Sequence, residues 1–342
     1  MVGAFSSTAK KADGRNGAVD IFRLLYAIVI MTGHLVTVGM VAPFPFAPVG
    51  ILVEFFLFLT GYFTCVSFLR KASEPTDYFS NGLKYTLKKF KPLVPYLVVS
   101  VGLSYSINII FEIQNGGGIA QLGRIAYHMF SEMFLLSYVF AEIGQRVGAL
   151  FYLAALLVVF PAFCMLTQIK NKSIKFAVAL YAMVFYYYDT DAVVTATYPQ
   201  VLFRVMCGLC TGMILYYLVQ MMREKGWKGR GSIGIVLLTI PLMLSGLQML
   251  DRRIALFCEF IGLALLLADR KFEKNNSITD FAAKMSMIVY ILHWSIGQNI
   301  SFYLANKGIQ IKLVLYYAVT ITVSAVLYLI FEKARRQRGL RP

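Results

Sequence analysis

Histidine is scarce in this chain: three occur among 342 residues, beside two tryptophans, five cysteines, and 17 carboxylates against 33 lysines and arginines. Each shortage narrows the function. The cysteines (Cys65, Cys164, Cys207, Cys210 and Cys258) all fall inside apolar runs, so no disulfide framework is implied. Cys207 and Cys210 have the spacing of a metal or redox pair. Their setting, RVMCGLCTGM, is one hydrophobic stretch without a second ligand pair. They read as small packing residues, and no metal site is expected. The N-terminal MVGAFSSTAKKADGRNGA has no short apolar core with a small-residue cleavage site after it. The first apolar span is therefore expected to stay in the mature protein. No appended soluble domain is expected, since the longest polar insert is only ~30 residues. No internal repeat of the kind found in inverted-repeat transporters is visible either.

What the chain has in excess is apolar length. It is 58% hydrophobic with a mean hydropathy of +0.67, against roughly 45–50% apolar in soluble proteins. A bilayer-spanning helix needs ~20 largely apolar residues. Counted that way, ten spans are predicted, at 20–40, 50–70, 92–113, 148–168, 174–188, 201–222, 232–249, 254–269, 281–304 and 312–332. The fold class is thus all-α, a polytopic transmembrane bundle. Between the third and fourth spans, RIAYHMFSEMFLLSYVFAE (124–142) is too polar for a span and reads as an interfacial or re-entrant helix. The expected organisation is a cytoplasmic tail (1–19), a membrane domain (20–332) and a basic cytoplasmic tail (333–342).

The net charge of +16 would suit a nucleic-acid binder. The basic residues cluster between apolar spans instead, which excludes that reading. With ten spans, one face carries 24 Lys and Arg and the other carries six. That asymmetry predicts cytoplasmic termini in a plasma (inner) membrane, with anionic lipid attracted to the basic face.

Ionisable groups inside spans are costly, so each is a functional candidate. The first span opens on Asp20 and Arg23 and runs apolar to His34. If the helix is continuous, Arg23 and His34 lie about 16 Å apart along its axis. The second span carries Glu54 at a depth similar to His34. A carboxylate beside an imidazole would fix its tautomer and raise its basicity, as a general base requires. The pair could equally lock two helices together. Before the third span, Lys84, Lys88, Lys89 and Lys91 lead into Pro92, Pro95 and Tyr96. This run is either an interfacial helix held by lipid phosphates or a phosphate-binding patch at a cytoplasmic mouth. Arg204 in the sixth span either snorkels outward or lines a polar cavity. Glu259 is a further buried carboxylate to which no role is given, and His128 reads as interfacial. The ninth span carries Ser286, Tyr290 and His293, the last two on one helix face.

A membrane histidine with a carboxylate, above an arginine and a basic mouth, suits acyl transfer from an anionic cytoplasmic donor to a hydroxyl. A proton-coupled transporter with a His34–Glu54 relay would use the same parts.

Several short patterns here resemble the acyltransferase-3 family of integral membrane acyltransferases. One is Asp-x-x-Arg followed by ten residues and His, here Asp20, Arg23 and His34. A second is VEFFLFLTG, where Glu54 and Thr60 stand for the family's Asp and Ser. A third is the basic run from Lys88 to Tyr96. A fourth is Arg204 with Gly208 and Gly212, and the last is Ser286 to His293, with Met287 where Tyr is common. The resemblance implies about ten spans and a donor site for acyl-CoA, often acetyl-CoA. It implies a surface or lipid-linked glycan acceptor, modified by O-acetylation. His34, with Glu54, would be catalytic; Arg23, Lys88, Lys89, Lys91 and Tyr96 would bind the donor. Asp20, Arg204, Ser286, Tyr290 and His293 would line the cavity. Oligomers are compatible with this picture.

Overall fold

The computed structural model describes residues 16–40, 49–69, 77–136, 147–188, 198–247, 249–273 and 276–337. Among them every regular element is helical: α1 (Gly17–Gly33), α2 (Val49–Leu69), α3 (Tyr78–Phe90), α4 (Val94–Gln114), α5 (Ile119–Met133), α6 (Phe151–Gln168), α7 (Lys172–Tyr188), α8 (Tyr198–Glu224), α9 (Gly231–Gly246), α10 (Arg252–Ala268), α11 (Ser277–Tyr303) and α12 (Ile309–Gln337). Ten of these fall on the ten predicted apolar runs. Five stretches are long and apolar enough by themselves to cross a bilayer: Ile51–Phe68, Tyr78–Gln114, Gly148–Gln168, Gln200–Glu224 and Ile309–Arg335.

The two elements outside the ten runs are amphipathic. The Lys84–Lys89 segment forms α3, entered through Asp77, whose carboxylate accepts the Ser80 N–H. A short 3-10 turn at Lys91–Leu93 joins α3 to α4. Gly82 lets α3 press on the Pro161 carbonyl of α6, where an added Cβ would lie 3.0 Å away. The 124–142 segment is helical from Ile119 to Met133 as α5, beside α4, with Tyr127 and Phe130 exposed. The end of that segment, 137–142, lies outside the described residues.

Two helix pairs position the site. The first is α2 on α8. Gly208 and Gly212 lie four residues apart on α8, and Gly61 of α2 meets Gly212 so closely that a Cβ on Gly212 would stand 2.8 Å from the Gly61 Cα. Small residues that let backbones approach are a standard device of membrane helices. The second pair is α1 on α11, reinforced by α12. The Tyr316 hydroxyl donates to the Met31 carbonyl at 3.2 Å, and the Thr32 and Tyr317 hydroxyls are 2.7 Å apart.

α1 is shorter than predicted. It stops at Gly33, and His34 is its C-terminal cap rather than a residue within it. The chain then turns through Leu35–Gly39, with the Met40 N–H bonded to the Leu35 carbonyl at 2.8 Å. Gly39 has φ +80°, the left-handed conformation that ends many helices. A side chain there would also strike the Ser301 Oγ, which donates to the Gly39 carbonyl.

Candidate active site

His34 stacks on His293 of α11, with ring centroids 5.2 Å apart, and meets Trp294 edge-on at 5.0 Å. Trp294 in turn presses on Gly148, where an added Cβ would lie 2.7 Å from its ring. The contacts of His293 decide which nitrogens carry protons. Its Nδ1 lies 2.7 Å from the Tyr290 carbonyl and 3.3 Å from that of Val289. A carbonyl only accepts, so Nδ1 holds the proton. In the neutral ring, Nε2 is then an acceptor. It lies 3.2 Å from His34 Nδ1, which therefore donates. The remaining basic lone pair of this dyad is on His34 Nε2. Tyr290 is fixed in turn, its hydroxyl donating to the Ala149 carbonyl at 2.8 Å.

Glu54 is not the partner of His34. It pairs with Arg204, whose Nε donates to Oε1 at 2.6 Å, with Glu54 0% and Arg204 8% exposed. Both residues sit in the first two turns of their helices, α2 and α8, which the glycine contact holds together. Arg204 thus neither snorkels outward nor lines the cavity described below; it neutralises a buried carboxylate. Such a pair is strongly destabilised when one partner is lost, by about 3–5 kcal/mol. The orienting role predicted for Glu54 is taken by the Tyr290 carbonyl acting through His293. The His34–Glu54 relay expected of a transporter is not formed by these contacts.

A cavity of about 540 Å³ opens between α1, α2, α3, α6, α8 and α10. Its charged end holds Asp20 and Arg23 of α1, Lys89 of α3 and Arg223 of α8. Its inner walls are apolar, with Phe56, Leu59, Leu153, Leu156 and Phe160. Along α2 it runs from Ser67 to Phe56, which is about 16 Å of helix axis. At the inner end Phe56 touches Tyr290, with centroids 6.4 Å apart, and Tyr152 touches Tyr290 at 6.1 Å. One aromatic layer therefore separates the cavity from the histidine dyad.

Of the residues expected at the donor site, Arg23 and Lys89 line this cavity and Asp20 lies between them and the α1 terminus. Arg23 Nη1 reaches Asp20 Oδ1 at 3.5 Å. Lys88 and Lys91 are exposed and do not line it. Tyr96 is buried against Phe331 of α12, centroids 5.2 Å apart, and serves that packing. The Ser286 hydroxyl donates to the Ala283 carbonyl of its own helix at 2.9 Å, away from the cavity.

Two features of the cavity were not read from the sequence, beyond the place of Thr60 in the family pattern. Thr60, Thr64 and Ser67 form a hydroxyl stripe on α2, each donating to the carbonyl four residues earlier at 2.6, 2.7 and 2.8 Å. Their spacing of four and three residues marks one helix face, so the signal was present but hidden among apolar neighbours. Arg223, just past the end of the predicted sixth span (201–222), lies in the last turn of α8, bonded to the Leu267 carbonyl and to Glu273 Oε1 at 2.8 Å.

A helical bundle with long apolar spans is that of a multi-pass membrane protein. Residues 16–329 match the acyltransferase domain of the acyltransferase-3 family, and the chain belongs to that family of membrane acyltransferases. No curated protein and no solved structure in the comparisons matches it.

Proposed function

We propose that this membrane acyltransferase moves an acetyl group from cytoplasmic acetyl-CoA to a hydroxyl of a surface or lipid-linked glycan, in the inner membrane, with both termini cytoplasmic. The observation that carries the reading is a cation-lined cavity whose apolar inner end at Phe56 meets Tyr290, one aromatic layer from the His34–His293 dyad. The phosphates of the donor meet Arg23 and Lys89 as charge-assisted hydrogen bonds. Its arm lies along the Thr60–Thr64–Ser67 stripe, whose oxygens accept from the arm's amides.

His34 Nε2 then takes the proton of the acceptor hydroxyl as that oxygen attacks the thioester carbonyl. The tetrahedral adduct collapses, the C–S bond breaks, and the thiolate takes the same proton from His34. Ester and free thiol leave, and no net proton is consumed. The positive charge that forms on His34 is shared with His293 through the Nδ1–H···Nε2 bond. Glu54 and Arg204 serve as a scaffold for the α2–α8 contact.

The test is His34→Ala in proteoliposomes, assayed for thiol release from acetyl-CoA and for acetyl on extracted envelope glycans. Transfer is expected to vanish while the protein still inserts and binds coenzyme A. Full transfer in this variant would sink the mechanism. Substrate flux across the membrane without any acyl transfer would favour the transporter reading.

A further inference from the structure

The charged end of the cavity is more elaborate than a donor site of Arg23 and Lys89 alone. Cations from three separate helices line it: Arg23 from α1, Lys89 from α3 and Arg223 from α8. Asp20 is the only acid among the described lining residues, and Glu273 pairs with Arg223 from behind, so three cations meet two carboxylates at this end. Several cations facing one cavity offer an anion charge-assisted donors from different helices. An anion with several charges is needed to engage all three helices.

Arg223 is set apart from ordinary surface arginines by its fixation. Its side chain is only 7% exposed, and Glu273, beyond α10, holds it at 2.8 Å while the Leu267 carbonyl at the end of α10 accepts from the same nitrogen. Such a fork is pre-organised, so little rotamer freedom remains to be lost when an anion binds. The carboxylate also shields the guanidinium charge in the unloaded cavity.

We propose that Arg223 is a third phosphate-binding residue of the donor site, with Glu273 positioning it. This inference rests on the acyl-CoA reading of the cavity and extends it to a residue and a division of labour. Arg23 and Lys89 take one phosphate group at the near wall, and Arg223 takes another across the cavity. The site thereby selects donors that carry several phosphates over thioesters that share only the arm.

The experiment compares acetyl-CoA with S-acetylpantetheine, which has the same arm and no phosphates, by thiol release in proteoliposomes of the full chain. Arg223→Gln is expected to raise KM for acetyl-CoA at least about tenfold, the loss of one charge-assisted hydrogen bond, while kcat/KM for S-acetylpantetheine stays unchanged. Arg223→Lys is expected to recover part of the loss. Because Arg223→Gln leaves Glu273 without its partner and could unfold the chain, the double variant Arg223→Gln/Glu273→Gln is run beside it. The same donor-selective loss is expected there. Equal losses with both donors, or no loss with acetyl-CoA, would overturn the role of Arg223 and leave the donor reading standing. A wild-type protein that turns over neither thioester would overturn both.

Discussion

The chemistry of this protein turns on which nitrogen of each histidine holds a proton. Two backbone carbonyls at His293 Nδ1 settle the tautomer of that ring, and the order passes to His34 through a single contact of 3.2 Å. His293 is therefore a positioning residue. His293→Ala is expected to lower kcat by about 10²-fold, within the range ascribed to general acid–base catalysis, with KM for the donor unchanged. His293→Gln is expected to recover much of the rate, because the Gln side-chain oxygen can accept from His34 Nδ1 as Nε2 does. Steady-state kinetics on the two variants, with the His34→Ala floor for reference, checks this. A loss in His293→Ala that His293→Gln does not restore would mean that the imidazole acts in some other way.

At the scale of the element, the site depends on two helix contacts set by small residues and turns. The α2–α8 contact closes over Gly61 and Gly212, where a Cβ on Gly212 would run into the Gly61 Cα at 2.8 Å. Gly212→Val is expected to separate the helices and to destabilise the protein by about 1–3 kcal/mol, the usual penalty of overpacking. The drop should appear as a lower midpoint in a thermal melt in detergent. Activity should fall with it, since Phe56 and the hydroxyl stripe travel on α2. Gly102, with no atom within 4 Å of an added Cβ, is the control: Gly102→Ala is expected to leave the melt unchanged or slightly raised. The shortening of α1 belongs to this scale as well. A helix running to residue 40 would carry His34 on a continuous rod. The cap at His34 and the left-handed Gly39 instead turn the chain back toward Ser301 of α11.

Across the whole molecule, charge and cavity point the same way. The basic face predicted by the 24-to-six bias is the face on which Arg23, Lys89 and Arg223 line the cavity. In a cysteine-free background, Lys333→Cys is expected to react with an impermeant thiol reagent only when the cytoplasmic face is exposed. Lys307→Cys is expected to react from outside. Labelling of both from the same side would break the proposed topology and, with it, the direction of donor entry.

Much of this was legible in one dimension. Apolar runs of the needed length fixed the helices, because backbone in lipid must satisfy its hydrogen bonds internally. Nine of the ten runs ended within about five residues of a helix end, the first alone running on to 40 where α1 stops at Gly33, and the scarcity of histidine singled out His34 and His293. Charge bias gives the orientation that the labelling experiment tests, and the spacing of Asp20, Arg23 and His34 pointed to the family. What the sequence alone did not determine is which groups meet. Depth along a helix is readable from the count of residues, but rotation about the axis and the choice of neighbour depend on packing among the helices. Glu54 and His34 share a similar depth, yet Glu54 is turned to Arg204 and His34 to His293. Lys88 and Lys89 are adjacent in the chain, yet only Lys89 faces the cavity. Arg223, distant from every motif, joins Arg23 only because α8 and α10 end beside the start of α1. The tertiary structure decided those meetings, since in a helical bundle contact is set by the face each helix turns to its neighbours.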